Sequence, residues 1–189
     1  AGGHGDFSVI LDRERQYFYF LFDNYGGPAE SQGVCIARMD YEDRANPAGK
    51  VWKYFNGQWQ EAGRGGRVTP IFPVNRPWQS RDPDAFWGPA IHWNTHLGLW
   101  VMLLNHTSPK GRPEGADPQK TPWPQEGIYV TYSDDLSDPT RWTGPVKVFP
   151  GGRWYPQVTG IDTARRETDK LAGRVARFSM RGADDIGES

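Results

Sequence analysis

The chain has 189 residues and a formal net charge of −1. Acids and bases alternate along it, so it carries no electrostatic footprint for nucleic acid or an anionic membrane surface. No apolar stretch approaches the ~20 residues of a membrane-spanning helix. Nine Trp, eight Tyr and nine Phe stand beside 23 Gly and 16 Pro. Aromatic residues suit pleated strands and Gly and Pro supply turns, while no window holds a 3.6-residue period, so the expected class is all-β.

Taken in chain order, strands are expected at residues 7–11, 17–22 and 33–39, with a fourth near 51–55 or 58–61. Asp12-Arg13-Glu14-Arg15 reads as the polar turn of the first hairpin. Cys35 stands alone inside an apolar strand, which gives no disulfide framework and no cysteine-based metal site. Residues 63–83 form a Gly/Pro-rich connector. Its Gly63-Arg64-Gly65-Gly66-Arg67 is followed by no helical pattern and therefore is no phosphate cradle. Strands follow at 90–93, 99–104, 128–132 and 146–149. His92 and His96 have the spacing of a helical metal pair, but they flank a turn at Asn94-Thr95, where two imidazoles do not converge. Asp134, Asp135 and Asp138 read as a turn, with calcium the one ion that such a cluster suits; no other cofactor is expected. A third unit opens at Trp154-Tyr155-Pro156-Gln157, continues through 158–161, turns at 162–170 and returns at 174–180, before a tail without strand signal.

The chain repeats itself. Residues 8–23 and 90–105 share length and layout: an apolar run, a polar turn and an aromatic-rich run. Each is followed, after a loop, by an apolar run opening on a polar residue and Gly, Gln32-Gly33-Val34 and Glu126-Gly127-Ile128. A repeat of this size built of strands points to a β-propeller of antiparallel four-stranded blades. The expected blades are roughly 6–62 and 84–149, with half a blade at 154–181, in a single domain. Closed rings have about 4–8 blades. Two and a half imply a partial ring, a fragment completed by a missing segment or by another copy.

Antiparallel order sends Asp6, Asp84, Glu126 and Trp154 to one face, together with the long loop over residues 106–125. Glycosidic bond cleavage needs two carboxylates that flank the bond. Asp6 and Asp84, at the starts of neighbouring inner strands, are the candidate pair, with Glu126 as a candidate acid. Trp87, Trp123, Trp154 and Tyr155 are candidate stacking surfaces for sugar rings, and His106 and Arg153 candidate partners for hydroxyls. The bland alternatives are strand-end capping for the aspartates, the role of Gln32 for Glu126, and packing between blades for Trp87.

Arg81-Asp82-Pro83-Asp84-Ala85-Phe86-Trp87-Gly88-Pro89-Ala90-Ile91 resembles an inner strand of the five-bladed propeller glycoside hydrolases, the arabinanase and β-xylosidase group and its invertase relatives. Trp87-Gly88-Pro89 is similar to the Trp-Ala-Pro of the first group, and Arg81-Asp82-Pro83 to the Arg-Asp-Pro of the second. The stretch 127–136, with Trp142 after it, is similar to the outer strands of such blades. The resemblance implies hydrolysis of a poly- or oligosaccharide by an extracellular or periplasmic protein. It implies Asp6 as base, Asp84 or Asp82 as the stabilising carboxylate and Glu126 as acid. Glu126 departs from that group's acid motif, being followed by Gly127-Ile128. The alternative function is a non-catalytic carbohydrate-binding propeller, or one half of a two-chain assembly.

Overall fold

The computed structural model describes residues 4–107, 110–116 and 124–180. Within them the chain is all-β, and its helical content is limited to single turns at Ala29–Ser31, Tyr41–Ala45 and Pro139–Arg141. The first sheet is an antiparallel meander of β1 (His4–Leu11), β2 (Tyr17–Asn24), β3 (Gly33–Asp40), β4 (Trp52–Phe55) and β5 (Gln58–Ala62). A short β6 (Phe72–Pro73) also pairs with β3. The second sheet repeats the meander with β7 (Phe86–Asn94), β8 (Leu99–Thr107), β9 (Gln125–Ser133) and β10 (Val146–Pro150). A third unit pairs β11 (Gln157–Gly160) with β13 (Ala176–Ser179). The two-residue β12 (Leu171–Ala172) between them joins β7 as a parallel neighbour.

Burial explains why these segments are strands without simple polar alternation. The second strand of each meander is covered on both faces, so it is apolar on both. Tyr19 and Leu21 of β2, with Ile10, Val34 and Ile36, pack on Ile91, Trp100, Met102 and Leu104 of the second sheet. Phe22, Cys35, Ala37 and Val68 gather on the other side of the first sheet. Val101 and Leu103 of β8, with Ala90 and Val130, pack toward Val158 of β11. The layers therefore stack in chain order, with β1, β7 and β11 brought side by side.

The sequence repeat is a repeat of register. Ser8 pairs with Leu21 and Ala90 with Leu103; Gly5 pairs with Asp23 and Trp87 with Asn105. Residues 8–23 thus superimpose in pairing on residues 90–105. Both first strands break register at the same place, between Gly5 and Ser8 and between Trp87 and Ala90. The left-handed residues there are Asp6 (φ 47°) and Gly88 (φ 66°), and Tyr155 (φ 56°) stands just ahead of β11.

The sheets are wider than the four strands expected. Both alternatives for a fourth strand form, as β4 and β5, and the connector contributes β6, giving the first sheet six strands. The second gains β12 as a fifth. β7 begins at Phe86, four positions before the expected 90, because the strand continues through the bulge.

Gly33 marks where the connector closes on β3. Its φ is 129° and a Cβ there would lie 2.1 Å from the Phe72 carbonyl oxygen. Gly33→Ala is expected to detach β6 and cost more than about 1 kcal/mol in urea unfolding. Gly144→Ala, where nothing lies within 4 Å of the added carbon, serves as the control that stays near wild type.

Candidate functional site

Two polar clusters occupy the end of the sheets where β1, β7 and β9 begin. The first is built on the β1 bulge. Asp6 sits in the left-handed region, which an aspartate tolerates better than most residues but at a cost of roughly 1 kcal/mol or more. Its carboxylate accepts two phenolic hydrogen bonds, from Tyr25 at Oδ2 and from Tyr155, 2.8 Å away, at Oδ1. Tyr25 follows β2 and is fixed edge-to-face on Trp78, with ring centroids 4.9 Å apart. The Gln79 amide donates to its carbonyl at 2.8 Å. Gln32 in turn holds Gln79 through its Nε2 (2.8 Å) and accepts from the Trp78 amide at its Oε1 (2.9 Å). The connector is therefore the clamp that holds the Tyr25 hydroxyl on Asp6.

Beneath this pair lies Asp23, fully buried. Its Oδ2 accepts the Gly88 amide at 2.8 Å and lies 3.3 Å from the Tyr25 hydroxyl, while its Oδ1 has no hydrogen-bond partner. Burial pushes its carboxyl well above the usual aspartate range, and the Asp6 charge adds to the shift against the Gly88 hydrogen bond. Burial and the same two aspartates raise the Tyr25 phenol, which stays protonated.

A cavity of about 270 Å³ opens over the bulges, lined by Asp6, Phe7, Gly88, Tyr155, Gln157 and Lys170 among others. Phe7 is 73% exposed beside it, an apolar ring next to a carboxylate. Larger clefts of about 660 and 690 Å³ lie on the outer side of the first sheet, around Lys53, and hold a single carboxyl, Glu30. A cleft of about 350 Å³ at the opposite hairpin turns holds Asp12, Glu14, Asp134 and Asp135, of which Asp12 and Asp135 bond amides of their own turns and Asp134 pairs with Arg141. The cavity of about 270 Å³ is the one that opens where β1 and β7 begin.

The second cluster surrounds His106, at the end of β8. Its ring is packed against Phe86 (4.5 Å between centroids) and Tyr129 (5.4 Å). Nε2 lies 3.0 Å from Asp84 Oδ1, and Nδ1 lies 3.6 Å from Glu126 Oε2 without a hydrogen bond. Burial lowers the imidazole pKa more than the neighbouring Asp84 raises it, so the ring is neutral, with its proton on the nitrogen facing Asp84. Arg76 Nη1 reaches Asp84 at 3.9 Å. Glu126 is paired with Lys147 and accepts from the Tyr129 hydroxyl.

The sequence candidates thus divide. Asp84 and Glu126 meet at His106, whereas Asp6 belongs to the tyrosine cluster, and no hydrogen bond or ion pair joins Asp6 to Asp84. Register explains the separation: the counterpart of Asp6 is Gly88, and Asp84 precedes β7, in a bridge with Arg76. Asp82 lies beside Arg76 as well, 3.5 Å from its Nε. Trp87 is buried, donates to Gln125 Oε1 at 3.1 Å and packs edge-to-face on Trp154 and Tyr155. Its role is to support Tyr155. Trp154 is half-buried and Arg153 exposed, with the Arg153 carbonyl accepting from Asn105 at 3.0 Å. Trp123 lies outside the described residues. Sequence reasoning missed Phe7, Asp23 and Tyr25.

Among the described residues no group of three or more His, Cys, Asp or Glu is arranged to hold a metal ion. Asp135 and Asp138 cap backbone amides of their own turn, at Ser137 and Thr140, and Asp134 pairs with Arg141. His92 is buried while His96 is exposed, so the two do not converge.

Burial pushes His92 down to about 4, with Lys170 adding to the shift. An unfolded histidine binds its proton near 6.5, so the unfolded chain gains protons first on acidification. The stability this group contributes is complete above pH ~6.5 and is lost as pH falls toward 4. Urea unfolding of wild type and His92→Leu at pH 7 and pH 4 is expected to show the wild type losing up to ~3 kcal/mol relative to the variant. No family model, curated protein or solved structure matches this chain.

Proposed function

We propose that the chain is part of a β-propeller glycoside hydrolase acting on a poly- or oligosaccharide, with Asp6 as the base and the cavity over the bulges as the sugar site. One observation carries the reading. Asp6 lines that cavity, it is held by two tyrosines on a strained bulge, and an exposed Phe7 stands beside it. A carboxylate held in place by its neighbours costs little reorganisation when substrate arrives, and residues in sparsely populated backbone regions cluster at functional sites. The propeller reading is supported by sheets stacked in chain order with their first strands adjacent. In this reading Asp84 is the stabilising carboxylate, oriented by His106. Glu126 is the acid, a role for which Lys147 must leave its carboxyl, since a group in an ion pair has no proton to give.

The second reading is a non-catalytic carbohydrate-binding propeller. It is favoured by one specific observation: Asp84 and Glu126 are both engaged in charge pairs and neither lines the cavity with Asp6.

Product release from a panel of furanosidic and pyranosidic oligosaccharides and aryl glycosides separates the two. Asp6→Asn is expected to lower the rate by about 10²–10⁴-fold while sugar binding, read by calorimetry, largely persists. Binding without turnover in the wild type would sink the hydrolase reading and leave the binding one. In the same assay Lys147→Met tests the acid. The alkaline limb of the pH–rate profile should move to higher pH if Glu126 donates the proton, and an unmoved limb excludes it.

A further inference from the structure

The repeat supplies an internal reference for the one buried acid that the proposed reaction leaves without a task. Asp23 and Asn105 occupy the same register, each opposite the residue before the bulge of its own sheet. Each turns toward the next unit and captures the amide of its left-handed residue. Asn105 Oδ1 accepts from Tyr155 N at 3.1 Å, as Asp23 Oδ2 accepts from Gly88 N at 2.8 Å. Asn105 also uses its second terminal atom, donating from Nδ2 to the Arg153 carbonyl at 3.0 Å. The corresponding atom of Asp23 is Oδ1, buried and without a partner. An ionised carboxylate has only acceptors to offer and cannot donate as Asn105 does; a protonated one can.

The groups facing Asp23 leave the same choice. From β1 comes Asp6, from the loop after β2 the Tyr25 hydroxyl, from β3 the Cys35 thiol and from β7 only the Gly88 amide. No cation pairs with it among the described residues. A buried, unpaired carboxylate beside a second one takes up a proton instead of remaining charged.

We propose that Asp23 carries a proton on Oδ1, making it the neutral counterpart of the Asn105 amide, and is the positioning residue that leaves Asp6 the single ionised carboxylate of a pair bridged by Tyr25. Tyr25 then directs its one proton to Asp6, the nearer carboxylate. The assignment of Asp6 as base rests on the glycosidase reading, whereas the proton on Asp23 does not. This is the pattern by which two neighbouring carboxyl groups take different roles. The burial-driven rise described for Asp23 agrees with it.

The test has one arm that needs no substrate. In the ¹³C-labelled protein the Asp23 carboxyl resonance, assigned with Asp23→Asn, is expected at the protonated position at pH 7. A carboxylate shift for Asp23 at pH 7 overturns the proposal. Stability gives the same answer through linkage. An acid whose folded pKa is raised contributes stability that is complete below the unfolded value near 3.9 and is lost as pH rises. Relative to wild type, Asp23→Asn should therefore gain stability as pH rises from 4 to 8. A variant that loses stability relative to wild type over that range overturns the proposal. Should Asp23→Asn fail to fold, the resonance, assigned then through the backbone, still decides. Where a glycoside is turned over, the wild-type pH–rate profile should carry a fall on the alkaline side distinct from the Glu126 limb that Lys147→Met moves, and Asp23→Asn should remove that fall while leaving the Glu126 limb. A profile unchanged in Asp23→Asn denies the positioning role even if the proton is present. Absence of turnover in every glycoside counts against the hydrolase reading alone.

Discussion

A bulge leaves a backbone amide out of the ladder, and a buried amide without an acceptor costs about 1–3 kcal/mol. In this protein the bulge amide of the second unit, and the amide of the left-handed residue just ahead of the third unit's first strand, are each satisfied from the preceding unit. Asp23 reaches from β2 to Gly88, and Asn105 reaches from β8 to Tyr155. These ties set how the sheets stack and how closely their first strands approach. They also decide what stands at the mouth of the cavity. With the apolar layers alone the sheets could slide, because hydrophobic contact is non-directional. A hydrogen bond from a side chain at a strand end to one particular amide allows a single register.

Three left-handed positions at this end of the sheets have three tasks. Asp6 presents charge, Gly88 presents a bare backbone and Tyr155 presents a hydroxyl that returns to Asp6. A Cβ at Gly88 would lie 3.3 Å from Asn105 Oδ1 and 3.9 Å from the Tyr155 ring, so the small residue there leaves room for the other two. The first unit has no predecessor among the described residues to hold its bulge. Tyr25, clamped by Trp78 and Gln79, holds the Asp6 side chain instead. The His106 cluster solves a different problem at the same end. It places two carboxylates on either side of a neutral ring, with Arg76 and Lys147 as their counterions.

Much of the architecture was legible in the chain. The polar turn at Asp12-Arg13-Glu14-Arg15 and the matched stretches at 8–23 and 90–105 reflect local pairing, which period and turn chemistry report directly. β6 and β12, two residues each, were not legible, since propensity says nothing about so short a segment and a neighbouring strand's free edge recruits it. In the site, Asp6 stood out because a carboxylate before an inner strand is conspicuous. Asp84 was matched to it by counting acids ahead of aromatics, but pairing register, not that count, sets equivalence, and it matches Asp6 to Gly88. Tyr25 and Asp23 gave no signal. One resembles any packing aromatic after a strand, the other a strand-end cap.

The sequence by itself determined the class, the repeat and the end of the sheets at which polar chemistry gathers. Each follows from strand-forming composition, turn residues and the order of strands, which are properties of neighbours in the chain. The tertiary structure alone decided which carboxylates meet. Asp6 and Tyr155 are 149 positions apart, Asp23 and Gly88 are 65, and Gln32 and Gln79 are 47. Such contacts depend on how one sheet lies on the next, and on which buried donors and acceptors must then find each other. No local pattern encodes that requirement, because it arises only once water has been excluded from between the layers.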